Sequence, residues 1–109
     1  MGENRDTLER LYDVIVSRKG GDPAVSHTAK LFAKGRAKIA QKMGEEAVEL
    51  AIAAVAETRE EMVSESADLV FHLLVLWADC GITIDDVRNE LTRREGQSGI
   101  EEKKARQLT

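Results

Sequence analysis

Five acids fall at spacings that chemistry can use. Glu45, Glu46 and Glu49 lie three and four residues apart, so on a helix adjacent turns would present their carboxylates on one face. Like charges at that spacing destabilise a helix by about a few tenths of a kcal/mol per pair unless a positive group sits among them. Glu65 and Asp68 repeat the three-residue spacing further along, and Asp68 opens the most hydrophobic stretch of the chain, residues 67–78. A carboxylate buried there must be paired, hydrogen-bonded or metal-bound, because leaving it bare costs roughly several kcal/mol. If the two segments are helices packed antiparallel, Glu46, Glu49, Glu65 and Asp68 meet across one interface as an oxygen cage suited to a hard cation such as Mg²⁺. Two plainer readings stand beside this one. The three glutamates can be solvated and paired with Lys42 and other bases, and Asp68 can be a hydrogen-bonded core residue whose partner is His72, four residues on. His72 itself reads either as a satisfied core histidine or as a ligand. A di-iron carboxylate bundle would need Glu-x-x-His pairs, and Glu65 is followed three residues later by Asp68 instead.

The charge pattern supplies the complement to these acids. The chain has 109 residues and a net charge of −4, from 16 basic and 20 acidic residues. Residues 18–42 hold seven bases (Arg18, Lys19, Lys30, Lys34, Arg36, Lys38, Lys42) against Asp22 alone, a local +6, and residues 43–90 hold twelve acids against two bases, a local −10. One short basic segment in an acidic protein is a poor surface for long nucleic acid, which needs an extended basic face. A small polyanion fits better, with lysines on its phosphates and carboxylates on the accompanying metal; two solvated helix faces are the plainer alternative.

The elements that must position these groups read as helices. One proline and 4% aromatics argue against a β-sandwich, and 42% hydrophobic with 33% charged residues describes one folded domain, taken as residues 1–96. Leu8, Leu11, Tyr12, Ile15 and Val16 predict a first helix capped by Asp6 or Thr7 and ending before Gly20. Ser26 or Thr28 caps a short second helix that stops at Gly35, and Ile39, Met43, Ala47, Leu50 and Ala54 mark a longer one to about Ala56. Thr58-Arg59-Glu60-Glu61 has the form of a capping box and starts a fourth helix to about Asp79, with Gly81 as its stop. Thr83 with Asp86 caps a fifth, ending near Gly96, and residues 97–109 form a charged tail expected to fray. The expected fold is all-α: about five helices, in hairpins that pack into a four-helix-bundle-like homodimer. The surplus of apolar side chains from Leu69 to Trp77 is assigned to that dimer interface. No segment is long and apolar enough to span a membrane, and the polar, acidic start of the chain reads as cytosolic. The lone Cys80 reads as a buried thiol.

The motif Glu45-Glu46-x-x-Glu49 followed by Glu65-x-x-Asp68 resembles the metal signature of the all-α nucleotide pyrophosphohydrolases. Within them, SHTAKLFAKGRAKIAQKMGEEAVELAIAA and ESADLVFHLLVLW are similar to the phosphoribosyl-ATP pyrophosphatase family of histidine biosynthesis, from about Leu8 to Arg94. His27, where an aromatic is usual, and Phe71, where tyrosine is common, depart from the pattern. The resemblance implies cleavage of phosphoribosyl-ATP between its α and β phosphates, giving phosphoribosyl-AMP and pyrophosphate. It implies Mg²⁺ on Glu46, Glu49, Glu65 and Asp68, neutralising the triphosphate and activating water. Glu46 and Glu49 then count as catalytic, and Glu45 either binds a second metal or acts as base. Lys30, Lys34, Lys38 and Lys42 are the candidate phosphate contacts, Lys38 and Lys42 best placed. Ser26, Thr28 and His72 complete the candidate substrate contacts, although capping explains the first two equally well. The rival readings are a house-cleaning nucleoside triphosphate pyrophosphohydrolase of the same superfamily and a non-enzymatic helical dimer.

Overall fold

The computed structural model describes residues 6–56, 58–95 and 106–107. Five helices account for almost all of them: α1 (Thr7–Arg18), α2 (His27–Lys34), α3 (Arg36–Ala56), α4 (Arg59–Cys80) and α5 (Ile84–Arg94), with no strand among the described residues. The all-α expectation holds. The expected frayed tail, residues 97–109, lies outside the described residues except for Arg106 and Gln107.

Four of the five helices start where a short polar side chain takes up a free backbone N–H; α3 follows Gly35 directly. Asp6 accepts from the Glu9 amide, Ser26 from Ala29, Thr58 from Glu61 and Thr83 from Asp86, and Asp86 returns the bond to the Thr83 amide at 2.9 Å. Asp6 and Ser26 are therefore the caps, rather than Thr7 and Thr28. Gly35 and Gly81 end α2 and α4 at φ +94° and +74°, angles a side chain disfavours, and so turn the chain sharply without a long loop.

Helices α3 and α4, 21 and 22 residues long, form an antiparallel hairpin of about 32 Å at 1.5 Å per residue. Arg36 at the start of α3 clamps Asp79 at the end of α4, with Nε 2.9 Å from the carboxylate and a second nitrogen donating to the Asp79 carbonyl at 3.0 Å. The core gathers at this end. Ile15 of α1, Leu31 of α2, Ile39 of α3 and Leu74, Val75 and Ala78 of α4 pack together, with Trp77 and Phe32 against them. Tyr12 holds α1 to the turn after α4 by donating to the Ile82 carbonyl at 2.6 Å, and Arg88 of α5 binds Glu9 of α1 at 2.8 Å. Beyond that end the hairpin stands nearly bare, with Ala53 the buried residue of the distal half of α3.

Two expectations, the burial of Asp68 and of Cys80, need correction. Asp68 is exposed, because the helices that cover α4 reach only its C-terminal half and no residue of α4 before His72 is buried. Within the stretch from Leu69 to Trp77, His72, Leu74 and Val75 are buried and Val70, Phe71, Leu76 and Trp77 pack half-buried against the core, while Val70, Leu73 and Trp77 also line an apolar groove with Leu8 and Leu91. Exposed apolar side chains include Val48, Ile52 and Val55 on the outer face of α3 and Val63 on α4, besides Leu8, Val14 and Val16 on α1 and Leu91 on α5. Cys80 is exposed, being the last residue of α4 and past its buried face.

Candidate functional site

The antiparallel hairpin sets two stripes of polar side chains against each other. Lys42, Glu46 and Glu49 recur at four- and three-residue spacing on α3, and Glu65, Asp68 and His72 at three and four on α4. Running in opposite directions, they bring Glu49 to Glu65 and Glu46 towards Asp68 and His72. Glu46, Glu49 and Glu65 converge most closely, each offering a carboxylate oxygen within 4.8 Å of the others'.

Three like charges this close are unfavourable in the absence of a counter-charge, and the two half-buried members show it. The Glu46 carboxyl is held above its ordinary value first by burial and then by the Glu49 charge, with Asp68 adding to the effect and His72 and Lys42 opposing it. Burial likewise raises Glu65, followed by the hydrogen-bonding approach of Glu49 and the charges of Glu49, Asp68 and Glu46. Glu46 Oε2 and Glu65 Oε2 are both shielded from solvent without a hydrogen-bond partner. Buried oxygens without donors require a proton or a cation, and a cluster of hard carboxylate oxygens suits Mg²⁺.

Glu45 turns the other way. Gln41 Nε2 donates to its Oε2 at 3.0 Å and Lys42 Nζ lies 3.6 Å from its Oε1, so its carboxyl is held below the ordinary value by Gln41 first, once burial is set against it, and by Lys42 and Lys38. Glu45 is no member of the close cluster. Gln41 is the neighbour that sequence reasoning missed, although its spacing of four from Glu45 was the available sign.

The remaining candidates are distributed unevenly. Asp68 is exposed beside the cluster, where both Glu46 and Glu65 feel its charge. Lys42 is half-exposed against Glu45 and influences Glu46, and Lys38 acts on Glu45 from one turn further back. Lys30 and Lys34 are exposed on α2. Ser26 is committed to capping α2, its Oγ accepting from the Ala29 amide at 3.1 Å, and Thr28 is half-buried in the first turn. His72 is buried and bonds through Nδ1 to the backbone carbonyl of Asp68 at 2.8 Å, not to its side chain.

Against this geometry, a sequence profile described as phosphoribosyl-ATP pyrophosphohydrolase matches residues 8–95. The chain belongs to the phosphoribosyl-ATP pyrophosphohydrolase family. It is similar to the phosphoribosyl-ATP pyrophosphatase of Paramagnetospirillum magneticum, 61% identical over 106 residues that cover 97% of each chain. Proteins of the same name from Rhodospirillum rubrum (57% identical over 93% of this chain and 86% of the relative) and Paracoccus denitrificans (54% over 96% and 97%) are similar across nearly the same span. Membership of the phosphoribosyl-ATP pyrophosphohydrolase family makes the chain a hydrolase, and the matched span contains every carboxylate of the cluster. No single helix among the described residues is long and apolar enough to cross a membrane.

Proposed function

We propose that the protein hydrolyses phosphoribosyl-ATP between its α and β phosphates in a Mg²⁺-dependent reaction, releasing phosphoribosyl-AMP and pyrophosphate. The observation that carries this reading is the convergence of Glu46, Glu49 and Glu65 with two buried oxygens lacking partners. Those three residues hold the metal, with Asp68 closing the exposed side of the same wall. Bound there, Mg²⁺ supplies charge neutralisation for the phosphate oxygens and lowers the pKa of water. The chain's own residues do the rest by position. Lys42 and Lys38 stand one and two turns before the carboxylates and draw the triphosphate along α3, while Glu45, bonded to Gln41 and turned from the cluster, serves as base toward the attacking water only by swinging away from Gln41. Lys30, Lys34, Ser26, Thr28 and His72 are second-rank candidates for the rest of the substrate. Activity resides in residues 1–96.

A panel of purified substrates tests the assignment. Preferential turnover of phosphoribosyl-ATP with stoichiometric pyrophosphate is expected; faster turnover of dUTP or dCTP would transfer the protein to nucleotide house-cleaning. No turnover together with no Mg²⁺ binding by calorimetry would leave a helical scaffold.

The working unit is proposed to be a homodimer. Val48, Ile52 and Val55 form an exposed apolar stripe at four- and three-residue spacing, with Val63 also exposed on α4, and contiguous apolar patches of this kind are uncommon on soluble monomers. Four-helix packing of two hairpins through that stripe would cover it beside the carboxylates. An active species of about 12 kDa in light scattering would exclude the dimer. Activity recovered on mixing Glu49→Gln and Lys38→Ala chains would place the two residues of one site on different subunits.

A further inference from the structure

Two positions compete for the side chain of Glu45. Four residues back along α3 lies Gln41, and four residues on lies Glu49, a member of the carboxylate cluster. Glu45 takes the first: Gln41 Nε2 donates to its Oε2 at 3.0 Å, and Lys42 Nζ stands 3.6 Å from its Oε1. The choice has a physical reason. Towards Glu49 the carboxylate would add another like charge to Glu46, Glu49 and Glu65, whose oxygens already lie within 4.8 Å of one another. Gln41 and Glu45 are both exposed, so the bond between them fastens nothing in the core, and an exposed pair at this spacing favours one position over the other by only about twofold. Such a bond holds a side chain and releases it easily.

Resting on the reading of Glu45 as base given above, we infer that Gln41 is a positioning residue for the reaction: with Lys42 it stores Glu45 outside the carboxylate cluster in the free protein, and it gives Glu45 up to the cluster when a phosphate group of the substrate draws Lys42 away. Of the two groups that hold Glu45, Lys42 is also the base nearest the cluster in sequence and the one a phosphate there would engage. Once Lys42 turns to a phosphate, the neutral Gln41 amide alone remains. Rotation about the side-chain bonds of Glu45 then carries its carboxylate from the Gln41 side to the Glu49 side of the same helix face. A neutral holder suits this task, because a lysine or arginine at position 41 would form a second ion pair and keep Glu45 in store.

The Gln41 side-chain amide reports its own bond, and the chain has two other glutamines, Gln97 and Gln107, to serve as internal references. Nitrogen-proton correlation spectra of the full chain are recorded with Mg²⁺ alone and then with Mg²⁺ and methylenediphosphonate, a pyrophosphate analogue that cannot be hydrolysed. Mg²⁺ alone should leave the Gln41 amide signals in place, since nothing then draws Lys42 away. Adding the diphosphonate is expected to move them to the positions they occupy in Glu45→Ala, with Gln97 and Gln107 unmoved. Gln41 signals that stay in place while the diphosphonate binds, or that move with Mg²⁺ alone, would overturn the inference. Calorimetry gives an independent reading. Gln41→Leu removes the donor with a good helix former at an exposed position, so Glu45 reaches the cluster without a phosphate and Mg²⁺ affinity should rise about twofold. That rise should vanish in the Glu45→Ala background, because Gln41 acts through Glu45. Parent-like affinity in Gln41→Leu, or a gain that persists without Glu45, would overturn the inference as well. A flat Mg²⁺ titration of the unsubstituted protein would instead remove the metal site, and full kcat in Glu45→Ala would remove the base; either takes this inference with it, whereas an unresponsive Gln41 amide leaves both of those readings standing.

Discussion

The two ends of the α3–α4 hairpin are built on opposite terms. At the end where Arg36 clamps Asp79, α1 and α2 cover the pair, Ile15, Ile39 and Val75 are almost wholly shielded, and the acid present is matched by a base. Towards the other end the same two helices bury Ala53, leave Val48, Ile52 and Val55 in water, and hold Glu46, Glu49 and Glu65 together with two unpartnered oxygens. The contrast separates stability from chemistry along one element. Packing at the covered end holds the helices rigid, and that rigidity allows the far end to keep mutually repelling carboxylates within reach of one cation.

Removing a carboxylate should produce the largest effect and should fall on activity alone. Glu65→Gln is expected to lower kcat/KM by about 10²–10³-fold, and excess chelator to abolish turnover of the parent. The metal-free variant should melt no earlier than the parent, since one of three like charges is gone. Pyrophosphate release and thermal melts followed by circular dichroism measure the two effects, and loss of fold in Glu65→Gln would break the separation.

The converse substitution belongs at the covered end. Ile39→Ala deletes most of a side chain that is 1% exposed and should cost about 2–5 kcal/mol in urea unfolding. Its folded fraction should bind Mg²⁺ with the parent's affinity, because Ile39 lies two turns of α3 before Glu46. A matching loss of metal affinity would mean that the ends are coupled through the hairpin.

The same contrast explains how much of the molecule was legible in the sequence. Helix limits were, because the chain marks them chemically: Ser26, Thr58, Thr83, Gly35 and Gly81 end or begin helices for local reasons that need no tertiary information. The pairing of Glu46 and Glu49 with Glu65 was legible as well, since three-residue spacing on two antiparallel helices leaves few other arrangements. Burial was not. Asp68 and Cys80 read as interior from their apolar neighbours, yet whether a helix face is covered depends on where α1 and α2 stop, a property of packing rather than of neighbouring letters. The outer valines of α3 were overlooked for the same reason. Glu45 was ambiguous because spacing places it near Glu49 and equally near Gln41, and the side chain takes the second course.

Lys42 lies where the two regimes meet, and a moderate effect is expected of it. Lys42→Ala removes the charge 3.6 Å from Glu45 and one of the two influences favouring an ionised Glu46. KM for phosphoribosyl-ATP should rise about tenfold, as for loss of one charged hydrogen bond, with little change in unfolding free energy. Unchanged kcat and KM would show that Lys42 only neutralises Glu45.

The smallest expected effect is a difference in the sign of pH dependence between two regions. Glu46 and Glu65 are raised above the ordinary value of 4.5, so folding tightens their hold on a proton. Their contribution to stability is therefore full below that value and is lost as pH rises through the raised one. Glu90 on α5 is held down to about 2, chiefly by hydrogen bonds from Arg93 and Arg94. It stabilises the fold above 4.5, and that contribution disappears as pH falls towards 2. In chelator, the urea midpoint should thus weaken on both sides of the carboxylate range, with Glu46→Gln flattening the high-pH side and Glu90→Gln the acid side. Saturating Mg²⁺ should reverse the first slope and leave the second intact, because metal binding requires deprotonated carboxylates and Glu90 has its arginines instead. A high-pH slope that survives in Glu46→Gln and ignores Mg²⁺ would assign the titration to groups outside the cluster, and with it would go the claim that repulsion is stored at the open end.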